Sequence, residues 1–459
     1  MKFVYSLILI FSFSITVFAQ PVKEKVNETE LVRTKKFRVK SKKGMQRQLK
    51  KLELFKNSYS GFCVYDVEKG KYIVDYNADR YFTPASNTKI FTFYSGLKNI
   101  GDKIPALFYT ENTDSLIFWG SGAPTLLYDV FDDNAVLDFL KNSDKELVFS
   151  GSNFLQNHFG LGWAWDDYGE YYSKELSSLP VYGNAVNLTV YPNGKWEAVP
   201  AAFTDSIKVV PVPDRIRFHR EQCKNQYTLE LSGNLTDTLH FEVPFITSDE
   251  LSVKLLSGAL GKGITIADKD MNDYADVKTL YGIETDTVFK VMMHESDNYL
   301  AEQILLMSAD GLDEKDSIKS GRIIKKQTET YLSKITNQPR WVDGSGLSRY
   351  NLFTPKSMVE ILNMIRITAE SKYDGDIAKL FDMFPTGGKG TLKHRFKNHP
   401  PFIYAKTGTL SNNHNLSGYM VTRSGKLLIF SYMNNHYRNK TSTIKEQTDT
   451  ILEDFYLRY

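Results

Sequence analysis

The pattern of apolar and polar residues predicts a hairpin followed by a helix in the first third of the chain. Residues 61–82, GFCVYDVEKGKYIVDYNADRYF, place apolar residues at alternate positions on both sides of the turn Glu68-Lys69-Gly70, which is typical of a β-hairpin. In residues 83–101, TPASNTKIFTFYSGLKNIG, Pro84 precedes apolar residues at helical spacing. We therefore predict two strands and then a helix that begins near Pro84.

A long central segment, from about residue 102 to residue 281, has a different pattern. Gly, Pro, Asn and Asp separate short strand-like runs such as SIKVVPVP, YTLELSG and LHFEVP. The helical pattern returns in VFKVMMHESDNYLAEQILLMSADG and in TPKSMVEILNMIRITAE. Because the ends of a domain often lie close together, one domain can be inserted into another. The pattern thus predicts one domain formed by residues 45–101 and 282–459, interrupted by a β-rich domain over residues 102–281.

Strands and a helix are also predicted at the end of the chain. FIYAKTGTL and LSGYMVTRSGKLLIFSYMNN have the pattern of adjacent strands, and the second run contains the turn Arg423-Ser424-Gly425. The last residues, TIKEQTDTILEDFYLRY, have the pattern of a helix.

Residues 1–19 have the layout of a secretory signal peptide. Lys2 is followed by an uncharged apolar run that ends in Val17-Phe18-Ala19. The run is short for a membrane span, so we predict cleavage after Ala19 and export to the periplasm, with an uncleaved anchor as the alternative. Residues 20–44 form a basic leader, which is either a solvated segment or a segment attracted to an anionic envelope surface. The residues from Met45 predict the first helix.

Composition narrows the possible partners and cofactors. The chain has 459 residues and a formal net charge of +3, which is too small to imply a nucleic-acid partner. Its two cysteines cannot form a cysteine-based zinc site and its histidines show no HExxH pairing, so we predict neither a metal nor another cofactor. Export permits a disulfide. Because Cys63 lies in a strand-like segment, we predict a small buried residue there rather than a bridge to Cys223.

Three short motifs follow one another along the chain: SNTK at 86–89, SDN at 296–298 and KTG at 406–408. Each alone has an ordinary structural explanation, as a helix cap, a turn or the end of an edge strand. In the order SxxK, SxN, KTG they are the set found in penicillin-binding proteins and class A β-lactamases. In an exported chain the set predicts acyl transfer through a serine ester.

The first two motifs supply a nucleophile, a base and a proton relay. Ser86 and Lys89 are three residues apart and therefore share one face of a helix. A serine hydroxyl needs a base, and Lys89 is a base only if its pKa falls well below about 10.4. Burial, the positive end of the helix and a second cation, for which Lys406 is the candidate, all lower that pKa. Ser296 and Asn298, two apart in a tight loop, can relay a proton to the leaving amine and orient the lysine and the substrate.

The third motif has the groups that recognise a peptide with a terminal carboxylate. Lys406 and the hydroxyls of Thr407 and Thr409 suit that carboxylate. Gly408 leaves room for a peptide that lies along the strand edge. The backbone amides of Ser86 and Thr409 are candidates for the oxyanion hole.

With these motifs, the chain resembles the class C low-molecular-mass penicillin-binding proteins, which are D-alanyl-D-alanine carboxypeptidase/endopeptidases of the peptidase S13 type. The resemblance begins near Ser60 and includes GWAWDDYGEYY at 162–172, WVDGSGLSRYNLFTP at 341–355 and AKTGTLSNNHNLSGYM at 405–420. It implies an α+β fold in which helices flank an antiparallel sheet, as in penicillin-binding proteins and serine β-lactamases, interrupted by the β-rich insertion. It also implies a penicillin-sensitive periplasmic enzyme that needs no cofactor.

The resemblance implies a role for each motif residue and for the partners. The partners that it implies for the protein are peptidoglycan stem peptides, β-lactams as acylating inhibitors and, at most, the envelope surface through the basic leader. Ser86 is the acylated nucleophile and Lys89 its base; the remaining site residues are Ser296, Asn298, Lys406, Thr407, Gly408 and Thr409. The chain departs from the family at Ala123, where members usually carry an acidic residue, and in an unusual Asn412-Asn413-His414 run.

Several residues near the motifs are interpreted as structural. Asp343, Ser345 and Arg349 in DGSGLSR predict a loop that supports the cleft rather than acts chemically. The two tryptophans of GWAWDD, at 163 and 165, are interpreted as packing residues rather than ligand contacts, and His414 as a surface loop residue rather than one that touches substrate.

Two other functions stay open. A serine β-lactamase or esterase on the same scaffold requires rapid deacylation. A non-catalytic peptidoglycan-binding scaffold has no need of a lysine base. A Ser-His-Asp hydrolase is disfavoured because the chain has no GxSxG elbow.

Overall fold

The structure, a computed structural model, describes residues 56–233 and 235–459. The predicted signal peptide, the basic leader and the start of the helix predicted from Met45 lie outside these residues. Among the described helices, none combines the length and the apolar character that crossing a bilayer requires.

A five-stranded antiparallel sheet joins the two distant parts of the chain. Its strand order is β14-β15-β16-β1-β2. The strands are β1 Tyr59–Asp66, β2 Lys71–Tyr76, β14 Ile403–Leu410, β15 Asn413–Val421 and β16 Leu427–Asn435. The predicted hairpin and the strands on either side of the 423–425 turn are confirmed. The strand that carries KTG, β14, lies at an edge of this sheet, as the motif predicts.

Helices cover both faces of this sheet. The helices of the described chain, of which α2 and α3 lie in the β-rich segment, are α1 Lys89–Asn99, α2 Ala135–Asn142, α3 Asp249–Leu260, α4 Thr285–Glu295, α5 Asn298–Met307, α6 Ser320–Thr330, α7 Pro355–Lys372, α8 Ile377–Asp382 and α9 Thr441–Arg458. On one face Phe62 of β1 packs edge-on against Phe455 of α9. On the other face the Tyr419 hydroxyl of β15 donates to the Leu362 carbonyl in α7 at 2.7 Å.

The helix predicted after Pro84 is present, but it starts with a tighter turn. Ala85–Thr88 form a 3₁₀ turn that leads directly into α1. Ile90, Phe93 and Leu97, spaced three and four apart, are buried against the core. The apolar pattern therefore predicted the helix and its buried face.

The central segment is β-rich, as its short strand-like runs predict. Its strands pair only among themselves in the described chain, in the orders β12-β5-β4-β3-β13, β11-β6-β7 and β8-β10-β9. They are β3 Lys103–Glu111, β4 Ser115–Gly120, β5 Glu146–Ser150, β6 Ala185–Val190, β7 Trp196–Val199, β8 Ile207–Pro211, β9 Arg217–Arg220, β10 Tyr227–Leu231, β11 Leu239–Pro244, β12 Ile264–Ile266 and β13 Lys278–Glu284.

The hydrophobic core crosses the predicted domain boundary. One cluster lies wholly within the β-rich segment, around Leu107, Phe149 and Leu188. A larger cluster joins Trp119 of that segment to residues of α1 and α4. Because the two parts share buried side chains, the division at residues 102 and 281 stays a prediction. Cys63 is a buried thiol in β1, as predicted, and Cys223 is an exposed thiol.

Candidate active site

The SxxK motif lies at the start of α1, and its two side chains are in contact. Lys89 Nζ donates to Ser86 Oγ at 3.1 Å. Ala85, just before the serine, has a φ of 49°, a left-handed conformation that is costly for a residue with a Cβ. Such backbone strain is typical of functional turns, and this turn places Ser86 at the N-terminal end of α1.

Lys89 is completely buried and binds two more acceptors from distant parts of the chain. Its Nζ donates to Asn298 Oδ1 at 2.7 Å and to the Ser345 carbonyl at 2.8 Å. Burial lowers the pKa of Lys89 to about 8, although the negative charges of Asp297, Glu302 and Asp343 oppose that shift. The amine is therefore fixed beside the serine, and far more of it is neutral at physiological pH than of an ordinary lysine.

The SDN motif is the sharp connection between α4 and α5. Ser296, at the end of α4, has a φ of 59° and so turns the chain in the left-handed region. Asp297 caps α5 by accepting from the Leu300 amide at 2.9 Å. Asn298 then begins α5 and donates from Nδ2 to the Tyr172 carbonyl of the β-rich segment at 2.9 Å. The central aspartate is thus structural, while the residues on either side of it contact the two lysines.

Lys406 of β14 is the second buried lysine of the site. Its Nζ donates to Ser296 Oγ at 2.6 Å and to the Thr407 carbonyl at 3.0 Å. Burial first, and then the positive charge of Lys89, lowers the pKa of Lys406 well below its usual value. Because two ammonium groups repel each other, the pair of lysines favours one proton over two.

Gly408 is required for a reason other than the one predicted. A Cβ at this position would lie 2.4 Å from the Pro84 carbonyl oxygen and 2.9 Å from the Asn87 amide nitrogen. The glycine therefore lets the SxxK turn pack directly onto β14, whereas the sequence suggested that it makes space for substrate. Asn87 Nδ2 closes the same contact by donating to the Lys406 carbonyl at 2.8 Å.

The two threonines of the third motif differ in exposure. Thr407 is partly exposed and Thr409 is exposed. The Thr409 hydroxyl lies 3.1 Å from Nδ1 of His414 on the neighbouring strand. His414 is fully buried in β15, so its interpretation as a surface loop residue is wrong. The polar run NNHN at 412–415 suggested an exposed loop. A strand that is packed on both faces can nevertheless bury polar side chains, and β15 does so.

The DGSGLSR loop supports the site, as predicted. The buried Asp343 carboxylate accepts from the amides of Gly346 and Ser348, at 2.8 and 2.6 Å, and from Trp163 Nε1 at 3.0 Å. These bonds hold the turn that aims the Ser345 carbonyl at Lys89. Trp163 is thus a packing residue as expected, whereas the same expectation for Trp165 is wrong, since 76% of that residue is exposed.

Sequence reasoning missed the acidic residue beneath the loop. Glu302 of α5 is buried and accepts from the Gly344 and Ser345 amides at 2.9 and 2.7 Å. Burial and the neighbouring Asp343 carboxylate raise the pKa of Glu302 to about 8. The available signal was its position one helical turn beyond Asn298, which places both side chains on the same side of α5.

Gly346 offers a stability test of this packing. Its φ is 86°, and a Cβ would lie 1.9 Å from the Ala85 carbonyl oxygen. We expect Gly346→Ala to lower the free energy of unfolding by about 3 kcal/mol or more, because it adds backbone strain and a clash with the serine turn. Urea unfolding measures this loss.

Gly375→Ala is the matched control for this test. Gly375 has a nearly identical φ of 85° and nothing within 4 Å of its Cβ position. We expect a loss of only about 1 kcal/mol there. Equal losses at the two glycines would contradict the proposed close packing.

Comparisons with known proteins agree with this geometry. Residues 42–455 match the sequence profile of the D-Ala-D-Ala carboxypeptidase 3 (S13) family. The chain is 25% identical over 436 residues to D-alanyl-D-alanine carboxypeptidase DacB of Haemophilus influenzae, covering 84% of this chain and 87% of that protein. It is 22% identical over 416 residues to penicillin-sensitive carboxypeptidase A of Dictyostelium discoideum, with 77% of each chain covered.

A solved structure shows the same fold. The crystal structure of penicillin binding protein 4 from Haemophilus influenzae superimposes with a TM-score of 0.65 at 23% sequence identity, covering 86% of this chain and 94% of that one. The predicted α+β fold, an antiparallel sheet flanked by helices and interrupted by a β-rich segment, is confirmed.

Proposed function

The chain belongs to the D-Ala-D-Ala carboxypeptidase 3 (S13) family, and on that premise we propose that it hydrolyses peptidoglycan stem peptides through an ester on Ser86. The family resemblance predicted from the three motifs is confirmed. The protein is a hydrolase, a serine-type D-Ala-D-Ala carboxypeptidase/endopeptidase. The proposal adds the residues that act, the substrate and the place of action, which is the periplasm.

The contact between Ser86 and Lys89 carries the proposal. Their side chains are 3.1 Å apart, and the buried lysine has a pKa lowered to about 8. Neutral Lys89 accepts the proton of Ser86 while Oγ attacks the carbonyl carbon of the penultimate D-Ala. The amides of Ser86 and Thr409 are the proposed donors to the oxyanion.

The second half of the reaction restores the enzyme. As the C–N bond breaks, the proton passes to the leaving amine, with Ser296 as the proposed relay. Water then attacks the ester carbonyl carbon with Lys89 as base, which releases the shortened peptide as a carboxylic acid and returns a proton to Ser86 Oγ. Apart from that water, every group in these steps belongs to the chain or to the substrate.

Charge near the two lysines suggests how substrate activates the base. In the protein alone, Asp297, Glu302 and Asp343 favour a proton on Lys89. The substrate's terminal carboxylate, placed against Lys406, favours a proton there instead. Because two ammonium groups repel each other, a proton on Lys406 favours the neutral form of Lys89. Binding of the carboxylate and activation of Ser86 are therefore linked.

Labelled penicillin tests the proposal on the purified mature protein. We expect one label per molecule, attached to Ser86, because a β-lactam presents an acylable carbonyl and a carboxylate to the same groups. Similarity to a penicillin-sensitive carboxypeptidase supports this expectation. Peptide mapping by mass spectrometry identifies the labelled residue. An unlabelled, folded protein across pH 6–9 would overturn the proposal.

Two further measurements separate the remaining functions. A label that persists for hours excludes a β-lactamase, whose ester is hydrolysed rapidly, whereas fast release would favour one. Muropeptide digests weighed by mass spectrometry distinguish loss of one D-Ala from cutting of a DD cross-link. Binding of muropeptides without any product would favour a non-catalytic scaffold.

A further inference from the structure

A buried histidine lies directly behind the rim of the site. His414 of β15 is opposite Thr409 of β14 in the antiparallel register, so both side chains are on the same face of the sheet. The His414 residue is 0% exposed, whereas Thr409 is exposed. The threonine hydroxyl is therefore the only part of this pair placed to meet a ligand.

The two ring nitrogens of His414 have different surroundings. Nδ1 is 3.1 Å from Thr409 Oγ1. Nε2 is buried and has no hydrogen-bond partner among the described residues. Arg395, which is ion-paired with Asp449, and Lys445 place positive charge near the ring, and with burial they lower the pKa of His414 well below its usual value. The ring is thus neutral and carries a single N–H.

The surroundings of the two nitrogens favour one tautomer. A proton on Nε2 would bury an N–H group with no acceptor among the described residues, which costs more than burying a bare nitrogen. A proton on Nδ1 instead has the Thr409 hydroxyl oxygen as its acceptor. The favoured tautomer therefore carries its proton on Nδ1, which donates to Thr409 Oγ1.

We propose that His414 is a positioning residue that occupies the acceptor side of the Thr409 hydroxyl and so leaves its proton for the substrate's terminal carboxylate. With the other tautomer, the Thr409 hydroxyl would donate its proton to Nδ1. It could then no longer donate that proton to the substrate's carboxylate. The inference rests on the proposed function, because it assumes that the carboxylate lies against Lys406, Thr407 and Thr409.

Two variants of His414 that have the same shape as each other test which tautomer the enzyme uses. His414→Asn keeps an N–H that can donate to Thr409, whereas His414→Asp offers only acceptor oxygens that capture the hydroxyl proton. For an acylated peptide ending in D-Ala-D-Ala, we expect His414→Asp to raise KM about tenfold with kcat within twofold, and His414→Asn to stay within about threefold of the unmodified enzyme. Equal KM values for the two variants would overturn the inference.

The His414→Asp variant also adds a negative charge, which could itself weaken binding of the carboxylate. Making His414→Asn and His414→Asp in a Thr409→Val background separates the two effects. If His414 acts through the threonine hydroxyl, the Asn and Asp variants have equal KM values once that hydroxyl is gone. A difference that persists would mean that the aspartate repels the carboxylate directly, which would overturn the inference.

A spectroscopic measurement covers the case in which the aspartate variant does not fold. With ¹⁵N-histidine labelling, and His414→Asn to assign the signals, the ring nitrogen shifts report which nitrogen is protonated. A protonated Nδ1 supports the inference and a bare Nδ1 overturns it. Penicillin labelling of the unmodified enzyme is measured separately. Absence of label at Ser86 would overturn the proposed function. Normal labelling together with a bare Nδ1 would overturn only the role of His414.

Discussion

Ser86→Ala is expected to abolish penicillin labelling and to lower the turnover of D-Ala-D-Ala peptides by about 10⁴-fold or more. Alanine removes the Ser86 hydroxyl oxygen, which lies 3.1 Å from Lys89 Nζ. The fold should be unchanged, because Ser86 is only partly buried and Lys89 Nζ keeps its bonds to Asn298 Oδ1 and the Ser345 carbonyl. Mass spectrometry of the labelled protein and release of D-Ala measure the two losses.

Ser333→Ala is the matched control, since that serine is exposed and lies far along the chain from the motifs. It should label and turn over at the unmodified rate. Ser86→Ala should still bind muropeptides without cutting them. Residual label on Ser86→Ala would place the nucleophile elsewhere and contradict the acyl-enzyme proposal.

Lys89→Met is expected to lower the rate of acylation by about 10³-fold while leaving Ser86 in place. Methionine nearly matches the length of lysine but cannot accept a proton. The loss of three hydrogen bonds, to Ser86, Asn298 and the Ser345 carbonyl, should leave buried acceptors unpaired and also destabilise the site. Stopped-flow measurement with a fluorescent penicillin gives the rate, and Lys334→Met, at an exposed lysine, is the control.

The pH dependence of acylation tests the same residue without a substitution. Only the neutral amine accepts a proton, and burial lowers the pKa of Lys89 to about 8. The rate should therefore rise with a midpoint near pH 8 and level off above it, whereas a lysine with its ordinary pKa would give a midpoint near 10.4. A substrate carboxylate bound at Lys406 should move the midpoint lower still. A rate that falls as pH rises from 6 to 8 would contradict Lys89 as the base.

Much of the site followed from local spacing. Ser86 and Lys89 are three residues apart, and any helix brings such a pair together. The edge position of β14 was predictable because KTG ends one strand-like run and a second run with its own turn follows it. Likewise the apolar alternation around Gly70 specified the β1–β2 hairpin. These features depend on neighbours within a few residues, so a linear pattern contains them.

Other features depend on contacts between segments that are hundreds of residues apart. The burial of His414 and the exposure of Trp165 both contradict what local composition suggested. Gly408 was recognised as necessary for the wrong reason, because its contact with Pro84 exists only after β14 and the SxxK turn have met. Glu302 belongs to none of the three motifs, and only the structure shows that it holds the loop that binds Lys89.

By itself, the sequence determined the order of strands and helices, the three motifs and the family, because each of these is a property of residues close together along the chain. Tertiary structure alone decided the charge of Lys89. A lysine amine becomes a base only when water is removed from around it, and the groups that replace that water, Asn298 and the Ser345 carbonyl, come from segments that folding brings to it.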